Sequence, residues 1–410
     1  MTFEELYRTM LKQAVERGSV QADDLEASAG HLDCLLHPQD HPLVWPLNPC
    51  TCPKEETHCA AACLFDAIVR RDDGTLAVDP DRCSGCGACI QACQSGNLTA
   101  SRDVLPALDA VKHAKGPVYA LIAPAFLGQF STVVTPGRLR SAFKLLGFTG
   151  MVEVALFADL LTLKEALEFD RNIHTETDFQ LTSCCCPMWI GMIRKLYHEL
   201  MPHVPGAVSP MIAAGRTVKK LHPDAVTIFV GPCIAKKAEA READLAGAVD
   251  YVLTFQEMQD IFQAADIHPE LLEESERDHS SRAGRIYART GGVSEAVRTT
   301  VARLHPERPI QVRTRQADGV PACRAMIEDI RSGQHQANFF EGMGCTGGCV
   351  GGPKVLLDRE TGRENVDRYG DEAEFSPPLD NPYVLKLLRL LGFDTVEEFL
   401  EQSDIFIRHF

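Results

Sequence analysis

The sequence is short of positive charge: 41 Lys and Arg stand against 57 Asp and Glu, a formal net charge of −16. Proteins that bind nucleic acid cluster Lys and Arg against phosphates, so this balance argues against such a partner. The acidity reads first as a solvated surface, which would also favour a basic redox partner and repel an acidic one. Long apolar runs are missing too. No uninterrupted stretch approaches the roughly 20 residues that a membrane-spanning helix needs, so no helical membrane segment is expected. A signal peptide is lacking as well. The opening MTFEELYRTMLKQAVERGSV sets Phe3, Leu6, Met10, Leu11, Ala14 and Val15 at helical spacing between charges, the pattern of an amphipathic helix. A cytoplasmic chain without export or anchoring is the expectation.

What the chain has in abundance is cysteine. Its 410 residues, 45% of them hydrophobic, can bury a full core and fill two or three domains, and they include 16 cysteines. In a reducing compartment thiols stay free, which makes metal binding their leading use. Eight lie between Cys50 and Cys93, and most of the others sit in three short motifs far apart.

From Asn48 the chain reads NPCTCPKEETHCAAACLFDAIVRRDDGTLAVDPDRCSGCGACIQACQSGN. The second half, with Cys83, Cys86, Cys89 and Cys93, matches the bacterial ferredoxin run for a 4Fe-4S cluster, in which the fourth Cys serves the other cluster. Gly85 and Gly87 allow the short turns that aim backbone amides at sulfur. The assignment is therefore Cys50, Cys52, Cys59 and Cys93 to one cluster, and Cys83, Cys86, Cys89 and Cys63 to a second. Paired C-x2-C units also suit tetrahedral zinc, but two overlapping runs fit clusters better. The first run is stretched relative to the ferredoxin pattern, neither fourth Cys precedes Pro, and His58 reads as a surface residue.

After Ala100, apolar runs alternate with helical stretches, as in an α/β domain with largely parallel strands. Candidate strands begin at Val118, Met151, Phe179, Val226, Tyr251 and Asn338, and ADLLTLKEALEFDRN reads as a helix. The charged stretches Glu273–Arg285 and Asp358–Glu374 read as surface excursions. Three strands run directly into cysteines: TSCCCPMW from Thr182, GPCIAKKAE from Gly231, and EGMGCTGGCVGG from Glu341. The carboxyl ends of strands in open α/β sheets are where ligands bind, so three such ends could converge on one anionic cofactor, with helix N-termini and glycine backbone approaching it closely.

These three segments resemble, in the same order, the signature motifs TSCCPxW, PCxxKxxE and ExMxCxxGCxxGG of the FeFe hydrogenases. TGGVSEA from Thr290 resembles the family's TGGVMEA, and LIAPA from Leu121 its IAPA. With the ferredoxin segment, the likeness runs from about residue 45 to about residue 390. It implies an α/β fold in which a 2x(4Fe-4S) ferredoxin-like domain precedes a two-lobed catalytic domain, with boundaries at 1–44 for a helical extension, 45–105 for the ferredoxin-like part and 106–410 for the rest. It further implies an H-cluster, a 4Fe-4S cubane joined to a two-iron unit bearing CO, cyanide and an azadithiolate. The carried-over cubane ligands are Cys186, Cys233, Cys345 and Cys349, the last bridging to the two-iron unit. Lys236 resembles the lysine that donates to an iron-bound cyanide, and Met343 the methionine beside the CO-bridged irons. Ala123, Pro124 and Pro232 would line the cofactor.

The implied activity is reversible oxidation of H2 to protons, with electrons passing through two accessory clusters to a ferredoxin-like or other electron-transfer partner. Separate maturation proteins would build the two-iron unit. Anchoring on Pro187 and Trp189 makes Cys185 the proton relay and Cys184 an addition, and KEALEF from Lys164 supplies Glu165 and Glu168 as relay carboxylates on one helix face. The family's relay serine has no match, since Pro205 stands there and Ser209 comes only later. Gly231 replaces a family Met. These departures resemble the divergent sensory branch, implying slow turnover, H2 sensing and a signalling partner. Two other readings stay open: an iron–sulfur assembly or scaffold protein lacking the two-iron unit, and an electron-transfer ferredoxin with an α/β appendage. Cys185, Lys236 and Met343 argue against the first, and the three strand-end motifs against the second. Cys34 and Cys323 read as buried apolar thiols.

Overall fold

The structure, a computed structural model, describes all residues except 54–56, 72–74, 183–184, 276–278, 402 and 410. Cys184 thus falls outside the described residues. In chain order the strands are β1 (Val44–Pro46), β2 (Ile68–Arg70), β3 (Leu76–Val78), β4 (Leu98–Ala100), β5 (Val118–Ile122), β6 (Gly150–Glu153), β7 (Gln180–Leu181), β8 (Val226–Gly231), β9 (Tyr251–Thr254), β10 (Thr314–Asp318) and β11 (Phe339–Met343). The antiparallel pairs β1 with β4 and β2 with β3 frame the cysteine-rich segment. Beyond it stand two parallel sheets, one in the order β6-β5-β8-β9 and one in the order β10-β11-β7. Each sheet is the frame of one lobe, so the α/β expectation with mostly parallel strands is met.

β5 and β8 are nearly continuous apolar runs because helices cover both faces of their sheet, and Ala120, Leu121, Ile122, Ile228 and Val230 are fully buried. All six expected strands form, although the one begun at Phe179 shrinks to Gln180–Leu181 and the one begun at Met151 ends at Glu153. β10 went unread. Its sequence TRQAD is polar because it pairs only with β11, and Ala317 alone among its residues is buried.

The helix Ala155–Asn172 is enclosed on nearly every side, which removes the polar face that an amphipathic helix would show. Asp159, Thr162, Lys164, Glu165 and Glu168 are all buried there, so the pair Glu165 and Glu168 stands in the interior instead of on a solvated face. The two expected surface excursions are met only in part, and residues 276–278 of the first lie outside the described residues. Arg359–Asp371 is a helix that buries Val366 and Tyr369, and the Tyr369 hydroxyl donates to Glu153 Oε2 at 2.8 Å. Glu273 and Glu274 are exposed as expected, whereas Ser280, Ser281, Ala283 and Arg285 are buried, with the Arg285 guanidinium 3.9 Å from the centre of the Tyr369 ring. In both stretches charged residues hide an inner face too short to register as a period.

The N-terminal helix Phe3–Arg17 forms as expected, closed by a capping box of Thr2 and Glu5. Its Phe3, Leu6, Tyr7, Met10, Leu11 and Ala14 join the core around the first sheet. Among the described residues no helix is long and apolar enough to cross a membrane.

Candidate functional site

The cysteine-rich segment holds its thiols on two single-turn helices, His58–Ala61 and Ala88–Ala92, and on the loops around them. The Cys52 thiol is hydrogen-bonded to Cys50 and lies in the field of Cys93, while Cys59 lies in the fields of Cys93 and Cys50. Cys83 and Cys89 are each influenced by Cys86 and Cys63. The thiols therefore gather into two sets, each taking its fourth member from the other half of the segment. Backbone amides are aimed at sulfur: Ala67 N–H donates to Cys63 Sγ (3.2 Å), Gly85 N–H to Cys83 Sγ (3.4 Å) and Asn97 N–H to Cys93 Sγ (3.3 Å). Such bonds stabilise a thiolate bound to iron. Burial opposes ionisation of Cys93, yet hydrogen bonds from Ser95 and from the Asn97 amide hold its thiol below the ordinary value. Burial pushes Cys89 up to about 12, and the neighbouring Cys86, Cys83 and Cys63 add to the effect.

The three strand ends meet. Cys186 caps the Pro187–Leu196 helix, Cys233 follows β8, and Cys345 and Cys349 follow β11. Burial first, then Cys186, raises Cys233 to about 11 and Cys349 to about 12, and Cys345 rises further under the fields of Cys233, Cys186 and Cys349. Cys186 thus acts on all three of the other thiols. All four retain accessible surface, although Cys233 and Cys349 lie deep in the protein. Four thiolates so placed would repel one another strongly unless iron neutralised them, which is the environment a cubane supplies. Among the described residues no three His, Cys, Asp or Glu side chains gather closely enough for a single metal ion. The Gly344 amide donates to Cys186 Sγ at 3.3 Å. Gly348, at φ +85°, lies so close to Arg289 and Thr290 that a Cβ would stand 2.8 Å from the Thr290 amide.

Lys236 lies beside Cys233 and Cys349 on the helix Ala235–Arg241. Burial works against its charge, yet Glu239 (2.6 Å) and the fields of Cys233 and Cys349 keep its ammonium more basic than usual. Met343, at the end of β11, packs in one apolar cluster with Tyr287, Cys185 and Cys186. Ala123 follows β5 and donates its N–H to Val230 O (2.9 Å), so Ala123 and Pro124 stand beside Pro232 and Cys233 at adjoining strand ends. The inner accessory set abuts the same region. A Cβ on Gly85 would stand 3.1 Å from Ala235 Cα, and Cys86 contributes to the field on Cys345.

The sequence matches the family described as iron only hydrogenase large subunit, C-terminal domain, over residues 116–353, and a 4Fe-4S binding domain over residues 76–99. The chain belongs to the iron-only hydrogenase family. It is 28% identical over 275 residues to Iron hydrogenase 1 of Clostridium pasteurianum, covering 57% of this chain and 48% of that protein. It is 25% identical over 365 residues to the NADP-reducing hydrogenase subunit HndD of Solidesulfovibrio fructosivorans, covering 74% and 62%. The chain therefore spans less than two thirds of either relative. A variant of the FeFe-hydrogenase of Chlamydomonas reinhardtii shares the fold with a TM-score of 0.63 at 21% identity, over 75% of this chain and 98% of that one.

Against this hydrogenase frame, the residues read as proton carriers fall into unequal places. Cys185 is enclosed; burial first, then the fields of Glu165, Cys186, Glu341 and Cys349, raises its thiol well above the ordinary value. Glu168 does not share that neighbourhood, because its carboxylate is bound by Lys164 Nζ at 2.7 Å. Burial still raises its pKa. Ser209 caps the Pro210–Leu221 helix through the Ile212 amide (3.4 Å). Gly231 has no room for a side chain: a Cβ would lie 2.6 Å from the Phe229 ring and 3.0 Å from Ala123 Cβ.

Three residues were missed by sequence reasoning. Glu341 accepts the Gly291 and Ser294 amides at 2.7 Å each and so fixes the start of the Gly292–Leu304 helix. Asp318 accepts from Thr290 Oγ1 (2.9 Å) and the Gly347 amide (3.0 Å), tying the third motif to TGGVSEA. Tyr287 lies buried near Cys185. Glu341 had a signal as the first residue of its motif, whereas Asp318 and Tyr287 had none.

Proposed function

We propose that this chain is an FeFe hydrogenase that interconverts H2 with protons and electrons. The observation that carries the reading is the gathering of Cys186, Cys233, Cys345 and Cys349 at three strand ends, with Lys236, Met343 and Cys185 beside them. An iron–sulfur scaffold would need the thiols, but would have no use for the other three side chains.

The residues fit an H-cluster, which Cys186, Cys233, Cys345 and Cys349 would hold; when bound, it would supply the redox chemistry at which H2 is split or made. Lys236 holds a positive charge toward the anionic cofactor, and Glu239 orients its ammonium. Cys185 holds a proton at Sγ beside Cys186 and Cys349, with Glu165 as its strongest charged neighbour. Met343 and Tyr287 exclude water from that side. Cys50, Cys52, Cys59 and Cys93 would hold one accessory 4Fe-4S cluster and Cys63, Cys83, Cys86 and Cys89 the other, and together these would supply an electron route between the main set and a partner. A ferredoxin-like or other electron-transfer protein would supply or remove the electrons, and maturation proteins would install the two-iron unit. The division of the chain at about residues 45 and 105 is part of this reading. The Phe229 ring packed against Gly231 in the family's Met position supports slow turnover and an H2-sensing role with a signalling partner.

Anaerobic maturation followed by iron analysis and infrared spectroscopy tests the assignment. Expected are roughly 14 irons per chain, from three cubanes and one pair, with CO and cyanide bands and H2 evolution. About four irons, zinc, and no such bands would overturn it.

A further inference from the structure

Asp159, Thr162 and Glu165 follow one another at three-residue intervals along the helix Ala155–Asn172, and all are buried. Polar side chains in an apolar interior are costly unless each finds a partner. Here the partners come from the chain between Ser281 and Tyr287. Asp159 accepts the amides of Ser281 and Gly284 at 2.7 Å each, and the Ser281 hydroxyl donates to it as well. These bonds have a structural use, since they fix the turn that starts at Ser281.

The hydroxyls of Tyr287 and Thr162 have no such use. Thr162 Oγ1 lies 2.9 Å from Tyr287 Oη and 2.8 Å from the Ala158 carbonyl. Phe and Val of nearly the same shape would fill these places without burying two hydroxyls. Thr162 carries one proton and has two acceptors in reach, so its O–H can turn to either, which is the freedom a relay needs. Tyr287 packs in the cluster against which Cys185 lies. After burial, the charge of Glu165 is the largest influence on the Tyr287 hydroxyl, with Cys185 and Asp159 also acting on it.

We propose that Tyr287 and Thr162 form a buried proton-relay leg that meets Glu165 and leads outward by Asp159 to Ser281, replacing the serine this chain lacks. The proposal rests on the hydrogenase reading and supplies the route it leaves open. Pro205 offers no hydroxyl, and Glu168 is held by Lys164. One proton and no electron moves in each pass. Thr162 gives its proton to Tyr287 Oη as Tyr287 gives its own to the Glu165 carboxylate, directly or through one water. Thr162 regains a proton from the Asp159 and Ser281 end; Ser280 and Ser281 are buried, and the chain meets solvent, the source, at the exposed His279. Neither hydroxyl has to ionise, because each receives one proton and releases one.

The test uses Tyr287→Phe, Thr162→Val and Thr162→Ser, and reads two quantities. In protein carrying its cubanes but not the two-iron unit, the Cys185 S–H infrared band, assigned by its loss in Cys185→Ala, is followed as it exchanges in heavy water. Tyr287→Phe and Thr162→Val should slow that exchange by about tenfold or more, and Thr162→Ser should restore it. In matured protein the first two should lower H2 evolution similarly while CO and cyanide bands stay in place. Exchange and turnover at wild-type rates in both Tyr287→Phe and Thr162→Val would overturn the relay. Absence of CO and cyanide bands from matured wild type would instead overturn the hydrogenase reading, and the exchange rates would still decide the relay.

Discussion

Lys164 and Glu168 form an ion pair with almost no exposure, and the ammonium has one further partner, the Leu400 carbonyl at 3.1 Å. At 2.7 Å and an effective dielectric constant near 20 their attraction is about 6 kcal/mol. Withdrawing each ion from water costs several kcal/mol, which offsets most of that gain. The raised pKa of Glu168 shows burial exceeding the help of Lys164. Replacing Glu168 with Leu should therefore destabilise the protein by about 3–5 kcal/mol, because Lys164 is left buried and unpaired. The double variant Lys164→Met with Glu168→Leu should recover that loss and come out between neutral and about 4 kcal/mol more stable than wild type. The sign of the pH dependence follows from the same residue. A carboxyl raised on folding contributes stability that is full below the ordinary glutamate range and is lost as pH rises through its folded value. The double variant lacks this slope, so its advantage should widen as pH rises through that window. Anaerobic urea unfolding of single and double variants across pH checks both points. A double variant as unstable as the single one would refute the reasoning. H2 evolution adds a functional readout: a stable double variant that turns over normally would remove Glu168 from the proton path.

Lys236→Met should leave both accessory clusters in place but abolish stable binding of the two-iron unit, seen as missing CO and cyanide bands and a loss of about two irons per chain. Cys89→Ala should remove about four irons while those bands persist in the folded protein. Gly231→Met should cost about 1–3 kcal/mol by overpacking against Phe229, and Phe229→Ala in the same chain should relieve part of it, as thermal unfolding would show. Cys185→Ala should lower H2 turnover by an order of magnitude or more while leaving the infrared bands unchanged, since alanine has no proton to exchange.

Sequence alone determined the things that depend on local pattern. The spacing of the cysteines announced a 4Fe-4S binding motif, apolar runs announced six of the parallel strands, and the residues around Cys186, Cys233 and Cys345 named the family before any geometry was known. These signals are legible because a cluster loop, a buried strand and a strand-end motif are each written in consecutive residues. The polar strand β10 was not, since an edge strand needs no apolar run. The helix Arg359–Asp371 was hidden for a related reason, its buried side resting on Val366 and Tyr369 among charges. Only tertiary structure separated Glu165 from Glu168, which share a helix: one stands near Cys185, the other is bound by Lys164. It also brought Tyr287 to Thr162, 125 positions away, and Asp318 to Thr290 and Gly347. Partners of this kind are set by how helices and sheets cross, and a buried polar side chain leaves no periodic mark of the group it will meet.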